Sequence, residues 1–171
     1  MELIYSPIFW GCVLPSTAAA YTDWKEYRLP NYITLPVLIL GLGYGLYTGN
    51  WLDSLIGAGL GFLIGFVSFL LGQMGMGDAK LMAAFGAWLG PYGFLFVLFI
   101  ACWLGAIWGI YKIIRVGKLK GGFRSLLKWS RLPEDPDAPL PAGAIAFGCC
   151  LVAGLWIFVF ISLWAKEAML G

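Results

Sequence analysis

Long uncharged stretches alternate along the chain with short segments that hold nearly all of its charge. The uncharged stretches cover residues 3–22, 32–48, 54–73, 81–111 and 141–164. A spanning helix needs ~20 mainly apolar residues, so the pattern predicts transmembrane helices near 3–22, 32–48, 54–73 and 141–164. The run from Leu81 to Tyr111 is too long for a single pass. As one straight helix it would extend roughly 45 Å at ~1.5 Å per residue, against a hydrocarbon core of ~30 Å. Gly90-Pro91-Tyr92-Gly93 lies inside it and reads as a turn. Two passes result, a short one near 79–90 and another near 92–112. The expectation is an all-α, polytopic membrane protein of about six helices, one domain over residues 1–171, with a loop at 113–139.

Glycine adds a second pattern. Gly41, Gly45 and Gly49 recur at four-residue spacing in one predicted helix, and Gly57, Gly61 and Gly65 do so in the next. Each set presents a smooth face that allows close approach of helix backbones, the small-xxx-small mode of packing in membranes.

Charge sets the orientation. Lys25 and Arg28 follow the first stretch, and only Glu2 is charged before it, which is the wrong polarity for a cleaved signal peptide and fits a retained helix. Pro30 disfavours α geometry at Leu29, so a new helix is expected from about Asn31. With two passes in 81–111, the basic segment 112–131 returns to the side of Lys25 and Arg28. Both termini then lie outside, and Lys166 is the one basic residue there. The basic segment reads as a topology anchor against anionic lipid, not as a nucleic-acid surface.

Composition narrows the chemistry. Of 171 residues, 61% are hydrophobic and 12% charged, which excludes a soluble globular domain. Histidine, the commonest general base and metal ligand, is absent from the sequence. Cys12, Cys102, Cys149 and Cys150 sit in apolar runs without a CxxC pair, so they read as packing residues and no metal or cofactor site is expected.

The remaining chemistry is in residues 72–80, Gly-Gln-Met-Gly-Met-Gly-Asp-Ala-Lys. Asp78 and Lys80 stand between two uncharged runs, and an ionisable residue in such a place is a functional candidate. Gly75 and Gly77 permit a tight turn or an unusual φ and leave room for another chain. The parity of the spans puts Asp23 at the same face. Two carboxylates in a partly dehydrated place do not easily both ionise, and such a pair can share one proton. An ionised carboxylate can then take a proton from water while its protonated partner acts as acid. The competing reading has each aspartate cap a helix or pair locally, Asp23 with Lys25 and Asp78 with Lys80.

Gly75-Met76-Gly77-Asp78-Ala79-Lys80-Leu81 resembles the GxGD motif of the type IV prepilin peptidases, and Asp23 followed by Pro30-Asn31 resembles the other half of their active site. The stretch from Leu140 to Gly148 is similar to the proline and small-residue opening of their last helix. The resemblance implies a GxGD aspartic protease fold and a multi-pass endopeptidase of the bacterial inner membrane or archaeal cell membrane. Its partners would be a prepilin or pseudopilin substrate, cut at a basic leader on the cytoplasmic side, and membrane lipid. It assigns Asp23 and Asp78 as the dyad, with Gly75, Gly77, Lys80, Pro30 and Asn31 shaping the site. Longer members carry a paired-CxxC zinc domain and methylate the new N-terminus. This chain resembles the short form, as in Tad/Flp-type and archaeal preflagellin peptidases. A proton-coupled transporter and a non-catalytic assembly scaffold are the rival functions.

Overall fold

The computed structural model describes residues 7–26, 31–72, 74–116 and 147–170, and every regular element among them is helical. A π-helical stretch, Phe9–Val13, runs into α1, Leu14–Glu26. Then come α2, Asn31–Tyr47; α3, Trp51–Leu70; α4, Met76–Val116; and α5, Phe147–Leu170. Among the described residues, three segments are long and apolar enough to cross a membrane: Trp51–Leu70, Met76–Tyr111 and Phe147–Ala168. Large apolar side chains such as Leu63, Phe99 and Phe160 stand on their outer faces, as expected where hydrocarbon is the solvent. The protein is an all-α, polytopic membrane protein.

α1 does not stop with the uncharged run at Thr22. It continues to Glu26, so Asp23 lies within its last turn and not in a connection after it. Trp24 and Lys25 are exposed there, and amphipathic side chains of this kind let a helix emerge from hydrocarbon without ending. α3 likewise starts early, at Trp51, and takes Asp53 into its first turn.

α4 is not one rod. Gly90 has φ 69° and ψ 179°, a left-handed conformation that favours glycine, and Pro91 follows without an N–H to extend the ladder. The chain doubles back at this point. Asp78 and Gly105, on opposite sides of Gly90, both lie against the first described turn of α5, near Gly148 and Phe147 respectively. The first limb, 76–89, is thus only ~20 Å long at ~1.5 Å per residue.

That short limb is buried by close backbone packing. Gly57 backs onto the Gly86 carbonyl and Gly61 onto the Met82 carbonyl, so a β-carbon at either would strike main chain. α3 and the first limb therefore run antiparallel in direct contact, as the Gly57-Gly61-Gly65 spacing predicts. The other glycine series divides. Gly41 accommodates the Trp88 indole and Gly45 the Ser54 side chain, but a β-carbon at Gly49 would face open space, and Gly49 takes φ 79° in the α2–α3 turn.

Polar groups pin the same interface. The Ser54 hydroxyl donates to the Ala87 carbonyl (2.8 Å), and the Trp88 indole N–H donates to the Val37 carbonyl (2.8 Å). The apolar core lies between the two limbs of α4 and α5, where Leu81, Phe85, Phe94, Leu151 and Leu155 are fully buried. Pro30, nearly all of the expected 113–139 loop, most of the basic segment and the expected start of the last helix at 141 lie outside the described residues.

Candidate active site

α1 and α5 run antiparallel. Cys149 lies against the Ala20 carbonyl, and Trp156 donates from its indole N–H to the Thr17 hydroxyl (3.1 Å). This register brings the C-terminal turn of α1, with Asp23, to the first described turn of α5. Asp78 arrives from the other direction, in the first turn of α4. Its backbone N–H donates to the Gly75 carbonyl (3.1 Å), which closes the turn that presents it.

Asp23 and Asp78 thereby converge on one point from elements far apart in sequence. A β-carbon on Gly148 would lie 2.7 Å from Asp23 Oδ2 and 3.1 Å from Asp78 Oδ1. Both aspartates are buried, at 4% and 9% of their full exposure. Their environments differ. The Cys149 backbone N–H donates to Asp23 Oδ2 (3.2 Å), whereas Asp78 Oδ1 is enclosed with no hydrogen-bond partner among the described residues.

The other residues singled out in the sequence are placed less uniformly. Gly75 sits against the Asp78 carboxylate, 3.8 Å from Oδ2 to its β-carbon position, and Gly77 lies in the first turn of α4. Neither takes a positive φ. The left-handed residue of this stretch is Gly72 (φ 69°), because it follows the α3 C-terminus, where an αL glycine closes a helix. Lys80 is half-buried on α4 just beyond Asp78, and Asn31 opens α2.

Gly148 and Cys149 were not distinguished as site residues by the sequence. The available signal was the small-residue stretch ending in Gly148 at the head of an uncharged run on the same predicted face as Asp23. Cys149 also departs from a purely packing role. Together with Trp24, Leu104, Ile107, Trp108, Cys150 and Ala153 it borders an apolar cavity of about 250 Å³.

The chain is similar to a consistent set of known proteins. The prepilin leader peptidase/N-methyltransferase of Aeromonas salmonicida (strain A449) is 39% identical over 106 residues, 57% of this chain and 36% of the relative. That of Dichelobacter nodosus is 32% identical over 140 residues, covering 73% of this chain and 49% of the relative. That of Xanthomonas campestris pv. campestris is 32% identical over 177 residues, 98% of this chain and 52% of the relative. The chain spans between about a third and a half of the length of these curated relatives. No solved structure matches it significantly. The profile of the type IV leader peptidase family matches residues 10–110, more than half of the chain and both aspartates, and the chain belongs to that family.

Proposed function

We propose that this protein is a membrane-embedded aspartic endopeptidase that removes the basic leader from prepilins or pseudopilins at the cytoplasmic face. The observation that carries the reading is the convergence of two buried carboxylates, from α1 and α4, around Gly148. The names of the relatives supply the substrate class. Asp23 and Asp78 hold a single proton between them. Asp23, which accepts the Cys149 N–H, carries the negative charge, and Asp78, whose Oδ1 has no hydrogen-bond partner among the described residues, carries the proton.

In this mechanism the Asp23 carboxylate takes a proton from a water as its oxygen attacks the carbonyl carbon of the scissile peptide. Asp78 donates a hydrogen bond to the carbonyl oxygen and supports the charge that develops there. Collapse of the tetrahedral intermediate breaks the C–N bond, and the leaving amine takes up the proton held by the dyad. Gly75 and Gly77 give Asp78 its short turn, and Lys80 tunes its carboxyl as a neighbouring cation.

The chain crosses the membrane about six times, the two limbs of α4 counting separately, in the GxGD protease fold. The dyad and the basic segment 112–131 face the cytoplasm and both ends lie outside. The reversal at Gly90 supports this count, and the clustering of basic residues supports the orientation. Co-expression with a basic-leader prepilin tests the function. The prepilin should shorten with the wild-type chain and keep its leader with Asp78→Asn. A prepilin left intact by a stably inserted wild-type chain would favour the transporter or scaffold reading.

A further inference from the structure

We infer that Gly148 is a positioning residue of the proposed peptidase: its missing side chain sets the separation of Asp23 and Asp78. The inference rests on the peptidase reading and extends the site to α5, outside the family-matched residues 10–110. The space against the Gly148 α-carbon is occupied by both carboxylates, since a β-carbon there would lie 2.7 Å from Asp23 Oδ2, 3.1 Å from Asp23 Cγ and 3.1 Å from Asp78 Oδ1. Non-bonded heavy atoms rest at about 3.5–4.0 Å, so one methyl group would crowd both carboxylates at once.

The helix cannot easily recoil from that crowding. Six residues further along α5, Gly154 packs against the Val97 carbonyl, 2.9 Å from its β-carbon position, and Trp156 is bonded to Thr17. The carboxylates are the softer element, and a methyl at 148 would drive them apart. The neighbouring residue contributes through its backbone. Because the Cys149 N–H bonds Asp23 Oδ2, the same turn of α5 both spaces the pair and orients one member.

Gly148→Ala should therefore lower kcat for leader cleavage by about 10²-fold, the usual cost of misplacing a catalytic group by about 1 Å, while KM changes little. A further readout separates spacing from mere structure. Pushing the carboxylates apart weakens their coupling, so the two apparent pKa values of the pair should draw together and the bell-shaped pH dependence of the residual activity should narrow. The other titratable side chains beside the pair, Cys149, Cys150 and Lys80, are the same in both proteins.

The assay uses full-length protein in detergent or reconstituted membranes, with thermal unfolding showing that each variant is folded. Wild-type turnover with an unchanged pH profile in folded Gly148→Ala would overturn the inference, while wild-type cleavage and loss with Asp78→Asn would leave the peptidase reading intact. Absence of cleavage by the wild-type chain would sink both. Should Gly148→Ala fail to fold, the same substitution in an Asp23→Ala/Asp78→Ala background decides. That background removes the three atoms nearest to a β-carbon at 148, so the triple variant should fold, with thermal unfolding close to that of the double variant. A triple variant that fails to fold where the double variant folds would overturn the inference, because the methyl group would then be meeting something other than the carboxylates.

Discussion

Lys80 stands two residues beyond Asp78, half-buried at the edge of the site. A cation in that position tunes a carboxyl without carrying its proton. Lys80→Ala should therefore slow leader cleavage several-fold without abolishing it, measured as kcat on purified, folded enzyme. Turnover equal to wild type would reduce Lys80 to an interfacial residue. Asp23 and Asp78 were legible from sequence because an acid adjoining a long apolar run is rare and costly, so position alone set them apart from Glu134, Asp135 and Asp137. Gly148 and Cys149 were not, because their part in the site depends on how α5 registers against α1. The cysteines illustrate the same limit: Cys12 is fully buried as expected of a packing residue, whereas the Cys149 backbone N–H donates to Asp23.

At the scale of elements, the decisive contact is between α3 and the first limb of α4. Gly61 meets the Met82 carbonyl directly, so Gly61→Val should destabilise the fold by about 1–3 kcal/mol, as overpacking of a close-packed interface does. Reversible unfolding in mixed micelles would show it as an earlier transition. Gly90→Ala should cost about 1–2 kcal/mol for a different reason, the left-handed backbone of the reversal. Gly43→Ala, facing open space, should change stability little. The spacing of Gly57 and Gly61 revealed this face in advance, and Gly90-Pro91 revealed the reversal. Local chemistry encodes both. The sequence did not separate Gly49 from its series, because a turn glycine and a packing glycine look alike until a neighbouring helix is placed.

The whole molecule is an argument about sides of a membrane. Charge clustering predicts that Asp23, Asp78 and the 112–131 segment share the cytoplasmic side. Single-cysteine labelling in a cysteine-depleted background checks it: Lys120→Cys should react only after the membrane is permeabilised, and reaction from outside would contradict the six-span topology. The convergence of both aspartates on the start of α5 fits that arrangement, since one face then holds the entire dyad.

The central claim, that Asp23 and Asp78 act as one catalytic unit, is tested most directly by comparing Asp23→Asn, Asp78→Asn and the double variant in leader cleavage by purified, folded enzyme. Asparagine keeps the size and hydrogen bonding of aspartate but cannot take a proton from water, a function worth about 10²–10⁴-fold. Each single variant should fall by at least that factor, and the double variant should be little worse than either, because both groups serve one water. Near-wild-type cleavage in either single variant, or losses that simply multiply in the double, would contradict the account.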